Sequence, residues 1–297
     1  MLGPGGVGGL LAGALRRSGE EVTVIAREQT AEIIARDGLQ ISSVLLGDFR
    51  ARPAASPQLR EPVDALIVAT KAGGMAAALE RIVLDPPLVL PLLNGLDHLA
   101  VLRERFPAQS VLAGAIRVEA DRPAPGVVVH TSPFLLVNMA AGAPEMAAPM
   151  RRLAGALNEA GVPTEVLDSE AQVMWSKLVR LNALACTTSA YDKLLGEIRS
   201  TPELRADLVG AMEEAAAAGR AEGARVDAAT AVAELDRAHE TLGSSMQRDI
   251  AAGREPELDA IPGSVLRAAA RHGLPAPTIE RLVAAIAQRA GIEPPRV

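Results

Sequence analysis

The chain has one cysteine, Cys186, in 297 residues. That excludes an internal disulfide and any cysteine-rich zinc site, and it suits a reducing compartment; no metal is expected. No uninterrupted apolar run is long enough to span a bilayer. Basic stretches are missing too, and the net charge is −6, so nucleic acid is not an expected partner. There is no secretory signal pattern: the N-terminal apolar residues are mixed with glycines, and Arg16 and Arg17 follow them instead of preceding them. The default compartment is therefore the cytoplasm, with no membrane partner. Lysine is scarce, at Lys71, Lys177 and Lys193 only, although arginine is common. What remains is a chain that is 49% apolar and long enough for two domains with a sizeable core.

The first eight residues organise the rest. Gly3-Pro4-Gly5-Gly6-Val7-Gly8 fits G-x-G-x-x-G, and an apolar helix follows at once through Leu10, Leu11, Ala14 and Leu15. In a strand–turn–helix of this kind Gly3 permits the tight turn and Gly5 lets the backbone approach a pyrophosphate. Gly8 lets the helix pack close to the sheet, and the helix N-terminus faces the phosphate charge. Glu21-Val22-Thr23-Val24-Ile25-Ala26-Arg27 reads as the next strand. It ends about 20 residues past the glycines, where the ribose is read. The closing residue is Arg27, not an acid, which suits a ribose 2′-phosphate and favours NADP(H) over NAD(H); a solvated surface arginine is the other reading. Only Met1 and Leu2 stand where the strand before the glycines belongs. That strand is central in a doubly wound sheet, and without it neighbouring strands lack partners. The expectation is that the stated start is a few residues late and that a short apolar strand lies upstream.

Strands and helices alternate through the first half. Strands are expected over residues 22–26, 39–46 paired with 48–52, 63–70, 88–93 and 111–118, and helices over 10–17, 30–36, 75–82 and 96–105. The run from Val63 to Ala69 is almost continuously apolar, as in a parallel strand covered on both faces. Residues 127–131 and 134–137, split by Ser132-Pro133, read as an antiparallel hairpin closing the domain. From about Asp168 onward only helices are expected. Ile279, Leu282, Val283 and Ile286 share one helical face, residues 205–222 are Ala-rich, and Pro202, Pro256, Pro262, Pro275 and Pro277 mark helix starts. The expected fold is α/β. An N-terminal Rossmann-type doubly wound sheet with a truncated first strand spans 1–167, and an all-helical substrate domain spans 168–297. The cleft between them is the expected substrate site.

Reduction of a ketone needs a proton donor at the oxygen and polar groups that fix the substrate. Trp175-Ser176-Lys177-Leu178 lies within an apolar helix. Lys177 reads either as a cleft lysine that polarises a carbonyl or as a snorkelling one with its head in water. Glu257 either orients Lys177 and a substrate hydroxyl or sits in a first helical turn for the dipole. Ser245, placed mid-way through a late helix, either meets the substrate or bonds back to its own helix. Asn94 ends the fifth strand, where it faces the cofactor crevice or caps the next helix. Lys71 ends the previous strand in the same way, or is simply exposed, and His130 is expected to be structural.

In this order, the pieces resemble the ketopantoate reductase (2-dehydropantoate 2-reductase) family. The matching stretches are Gly3 to Gly8, Thr70-Lys71-Ala72, Leu93-Asn94-Gly95, Pro125-Gly126-Val127-Val128-Val129-His130, Trp175-Ser176-Lys177-Leu178, Ser244-Ser245-Met246-Gln247-Arg248-Asp249-Ile250, and Glu257-Leu258-Asp259-Ala260-Ile261 with Gly263 beyond. They cover nearly the whole chain. The resemblance implies NADPH-dependent reduction of a 2-oxo acid to a 2-hydroxy acid, as in pantothenate biosynthesis. It implies that Lys177 is the proton donor and holds the oxo acid. Asn94 would touch nicotinamide ribose and substrate, Glu257 the cofactor and the lysine, and Ser245 the substrate. The loop from Gly3, Pro4, Gly5 and Gly6 to Val7 and Gly8, with Arg27 and Lys71, would hold the cofactor. Departures cluster in one place. Family asparagines four and eight residues after the lysine are here Leu181 and Ala185, another is Leu242, and the family's Asn-Gly is Pro262-Gly263. Asn182 is rotated about 100° off that face. The departures point to a bulkier or more apolar 2-oxo acid or ketone. Alternatives are a non-catalytic NADP(H)-binding sensor and a dehydrogenase that oxidises a secondary alcohol. The apolar helical half is compatible with a homodimer.

Overall fold

A computed structural model describes all 297 residues. The chain divides into two compact units, Met1–Leu93 with His98–Val173, and Asn94–Asp97 with Met174–Val297.

The first unit runs α1 (Gly6–Ser18), β1 (Thr23–Ile25), α2 (Glu28–Asp37), β2 (Leu39–Ser43), β3 (Phe49–Ala51), β4 (Ala54–Ser56), β5 (Leu66–Val68), α3 (Met75–Leu79), β6 (Val89–Pro91), α4 (His98–Arg105), β7 (Ala113–Arg117), β8 (Ala120–Ala124), β9 (Val127–His130), β10 (Leu136–Ala140), α5 (Ala147–Glu159) and β11 (Thr164–Val166). The parallel pairs β1–β4 and β5–β6 flank the N-terminal residues, because Leu2 pairs in parallel with both Ile25 and Val68. Val111 bridges to Val89 just ahead of β7, which pairs antiparallel with β10, and β10 runs parallel with β11. Apolar side chains cover both faces. Leu10, Leu11 and Leu157 of α1 and α5 lie in one core with Ile41 and Val128, while Met75, Leu79 and Leu102 of α3 and α4 lie in the other. This is a doubly wound Rossmann-type sheet, as the alternation of elements implies.

The N-terminal residues bond to both neighbouring strands: Ile25 N–H donates to the Met1 carbonyl at 2.7 Å, Leu2 N–H to Ile67 at 2.8 Å and Ala69 N–H to Leu2 at 2.9 Å. Two local expectations are corrected. Residues 127–131 and 134–137 do not pair as a hairpin. Instead β9 runs parallel to β2 and antiparallel to β8 in a separate four-stranded sheet, while β10 enters the main sheet. The reason is burial. Val137, Asn138, Met139 and Ala140 are all buried in succession, which requires covered faces on both sides. Second, β4, β8 and β11 are strands that the sequence reading leaves out. They are short or mostly exposed, and β8 contains Pro123, as an edge strand tolerates. His130 is structural, bonded through Nδ1 to Ser43 Oγ at 2.8 Å and through Nε2 to Ser132 Oγ at 3.1 Å.

The long helix α6 (Glu170–Tyr191) starts in the first unit and continues into the second. There it is followed by α7 (Leu195–Ser200), α8 (Pro202–Ala221), α9 (Ala228–Arg237), α10 (Ser245–Ala251), α11 (Ser264–Arg271) and α12 (Pro277–Ala290). No strand occurs here, in line with the sequence reading. Pro202 and Pro277 open α8 and α12. Pro262 instead lies inside a π-helical turn, Asp259–Gly263. Without an N–H, Pro262 cannot donate to the Leu258 carbonyl. The Gly263 N–H takes that carbonyl at 3.1 Å, one residue further on, and this opens the turn. No helix is long and apolar enough to cross a membrane.

Candidate active site

In the first unit the glycine loop has the shape its spacing implies. Gly3 sits at φ +87°, and a Cβ there would lie 2.7 Å from Thr70 Cγ2. A Cβ on Gly8 would be 2.2 Å from the Gly3 carbonyl, so only glycine lets α1 start this close to the turn. Gly5 differs: a Cβ there would meet nothing within 4 Å. Gly5 holds the cap position of α1, and no side chain caps the amide donors of the first turn. The buried Thr70 Oγ1 next to this loop has no hydrogen-bond partner. Open space at Gly5, uncapped amides and an orphaned hydroxyl are what a bound phosphate group would use, so these residues fit a dinucleotide. Arg27 is exposed at the N-terminal cap position of α2, just past β1. Lys71 is exposed ahead of a short 3₁₀ turn at Ala72–Gly74.

The second unit brings three other predicted residues together. Lys177 Nζ donates to Asn94 Oδ1 at 2.8 Å, and Asn94 Nδ2 donates to Glu257 Oε2 at 2.9 Å. All three side chains are half-buried. The direction of this chain is fixed by chemistry. An ammonium only donates and a carboxylate only accepts, so the amide must turn its oxygen to Lys177 and its amino group to Glu257. Asn94 is therefore not the cap of α4, which starts at His98. Its position comes from Gly95, at φ +83°, where an added Cβ would be 1.8 Å from the Ala260 carbonyl. The backbone after Asn94 thus presses on the π turn that follows Glu257.

Ser245 is corrected. It is not mid-helix but the exposed first residue of α10. Ser244 is the cap, accepting from Gln247 N–H at 3.1 Å and bonded to Thr188 Oγ1 at 2.7 Å. In α6, Leu181 is half-buried and Ala185 is buried. Asn182 is fully buried and accepts from the Cys186 thiol at 3.6 Å. Burial pushes the Cys186 thiol pKa up, and the Glu214 charge adds to the effect. Sequence reasoning missed the part played by Gly95, because the Asn-Gly pair reads as an ordinary turn.

The sequence pattern described as "Ketopantoate reductase PanE/ApbA" matches residues 1–141, and "Ketopantoate reductase PanE/ApbA C terminal" matches residues 171–290. The 2-dehydropantoate 2-reductase of Mycobacterium tuberculosis is 31% identical over 299 residues, covering 97% of this chain and 96% of that protein. The chain belongs to the ketopantoate reductase family. The 2-dehydropantoate 2-reductase of Halobacterium salinarum is 29% identical, covering 97% of this chain and 98% of its own. A solved structure of D-mandelate dehydrogenase with NADH and anilino(oxo)acetate shares the fold. It has a TM-score of 0.88 at 21% identity and covers 98% of this chain and 97% of that one. As a ketopantoate reductase family member, the protein is an oxidoreductase acting on CH–OH groups.

Proposed function

We propose that this family member uses NADPH to reduce a 2-oxo acid to the 2-hydroxy acid, with Lys177 as proton donor. The observation that carries the reading is the one-directional chain Lys177–Asn94–Glu257. A phosphate-binding loop alone serves a sensor as well as an enzyme. An ammonium aimed by an amide, which is in turn held by a carboxylate, is a device for delivering a proton at a fixed point.

The glycine loop from Gly3 to Gly8, with Arg27 and Lys71, holds the dinucleotide, which supplies a hydride to the carbonyl carbon when bound. Lys177 gives its proton to the carbonyl oxygen as charge develops there, and its positive charge holds the substrate carboxylate. Asn94 aims Lys177 and Glu257 aims Asn94. Ser245, exposed at the start of α10, adds a substrate contact. Arg27 reads the 2′-phosphate. Arg27→Ala is expected to weaken NADPH binding by roughly 10- to 100-fold, the worth of a charge-assisted contact, and to leave NADH binding within about twofold. Titration with both cofactors checks this; equal losses would remove Arg27 from 2′-phosphate recognition.

2-Dehydropantoate is the first substrate to test, given the relatives. A second substrate class is favoured by α6, where Leu181 and Ala185 follow Lys177 along the same face and offer no polar group. A bulkier, more apolar 2-oxo acid suits that surface. The same fold carries NADH with anilino(oxo)acetate in the D-mandelate dehydrogenase structure. NADPH oxidation with 2-dehydropantoate beside phenyl- and alkyl-substituted 2-oxo acids tests the function. Leu181→Asn is expected to shift the kcat/KM ratio toward 2-dehydropantoate by roughly tenfold. An unchanged ratio would mean that this face does not set the preference.

A further inference from the structure

The geometry points to Arg267 as a positioning residue that holds Asn94 and Glu257 in register through Asp97 and Asp259. This rests on the reading of Lys177–Asn94–Glu257 as the proton-delivering chain. Arg267 lies in α11, and its side chain is 24% exposed. Its Nη2 and Nε both donate to Asp97 Oδ2, at 2.6 and 3.1 Å. Its Nη1 donates to Asp259 Oδ1 at 2.8 Å and its Nη2 to the Asp259 carbonyl at 2.9 Å. A last bond runs from Nη1 to the Arg296 carbonyl at 2.8 Å.

Each of the two aspartates sits near a member of the chain. Asp97 is three residues after Asn94, on the short segment before α4, and Asp259 is two residues after Glu257, at the start of the π turn. One guanidinium therefore spans the two backbone stretches that carry Asn94 and Glu257. The planar fork can serve two carboxylates at once, which an ammonium cannot do with the same geometry. The Asn94–Asp97 segment has no helix of its own. It is tied to the turn by the packing of Gly95 on Ala260, by the Asn94–Glu257 bond and by the Arg267 clamp. The distance from Asn94 Nδ2 to Glu257 follows from where these two stretches sit. Arg267 touches none of the three chain members in these bonds, so it acts on them through the backbone.

Arg267→Met keeps the stem and removes the fork. The test is kcat, NADPH affinity and amide hydrogen exchange of this variant, alone and combined with Asn94→Ala. The expected result is a kcat lower by about 10- to 100-fold with NADPH affinity within about twofold. Amides 94–97 exchange faster while those of α12 do not change. With Asn94 already replaced, Arg267→Met costs no more than about a further twofold, because its effect runs through that residue. Arg267→Lys falls between wild type and Arg267→Met. Arg205→Met, which breaks the bidentate Arg205–Asp236 pair elsewhere in the unit, leaves kcat unchanged. The proposal is overturned if kcat or exchange at 94–97 does not change, if the losses multiply in the double variant, or if α12 loosens equally. If the wild type turns over no 2-oxo acid, the functional reading fails, and exchange at 94–97 still decides whether the clamp exists.

Discussion

Lys177→Met lowers kcat by roughly 10²- to 10⁴-fold, the usual worth of a positioned general acid, and leaves NADPH affinity within about twofold. Methionine keeps the length and apolar stem of the lysine in α6, so packing is conserved. What goes is the proton and the charge at the substrate oxygen. Asn94 Oδ1 also loses its donor, at 2.8 Å in the native protein, while Glu257 still accepts from Asn94 Nδ2. Lys177→Arg restores the charge but not the activity, because a guanidinium does not release a proton near neutral pH and its fork needs more room. Steady-state rates with separate titration of NADPH test both variants. A kcat within tenfold of the wild type in Lys177→Met, on the scale of that acid–base range, would take the proton-donor role from this lysine.

Gly95→Ala is expected to lower kcat by about 10²-fold and to destabilise the second unit by roughly 2–4 kcal/mol. Two causes add. The left-handed backbone, at φ +83°, costs a side-chain-bearing residue about 1–2 kcal/mol. The new Cβ would also be 1.8 Å from the Ala260 carbonyl. That oxygen is backbone, so no rotamer change relieves the clash, and the Asn94–Asp97 segment must lift from the π turn. Asn94 moves with it. Gly223→Ala is the matching control. Gly223 has φ +91°, but nothing lies within 4 Å of its added Cβ. It should lose only the backbone term and keep its kcat. Thermal unfolding and rates measured side by side separate strain from displacement; equal kcat in the two variants would mean that Gly95 does not place Asn94.

The legible parts of the chain were those with a local physical cause. The glycine loop could be read because a turn with φ +87° and a helix start packed on it leave no other residue choice at Gly3 and Gly8. The helical half could be read from periodic apolar faces such as that of Ile279, Leu282, Val283 and Ile286, all buried in α12. Where pairing partners are far apart in sequence, local reading failed. The pattern of β9 and β10 fits a hairpin, and only the unbroken burial of residues 137–140 shows that β10 belongs to the main sheet. Lys177, Asn94 and Glu257 each had an ordinary local explanation, as a snorkelling lysine, a helix cap and a first-turn acid. Their meeting is a tertiary fact that no window of the chain contains. Ser244 and Ser245 show the limit of a single step. Moving the start of α10 by part of a turn exchanges a buried cap for an exposed hydroxyl. Arg267 was out of reach, since Asp97 is 170 residues away in sequence.

The most direct test is product stoichiometry. Purified protein is mixed with NADPH and a 2-oxo acid from the panel, and NADPH consumed and 2-hydroxy acid formed are counted in the same sample, for the wild type and Lys177→Met. A reductase gives one product molecule per NADPH in the wild type and a rate lower by at least about 10²-fold in the variant. NADPH bound without oxidation across the whole panel, or equal rates of product formation from both proteins, would contradict a 2-oxo acid reductase that works through Lys177.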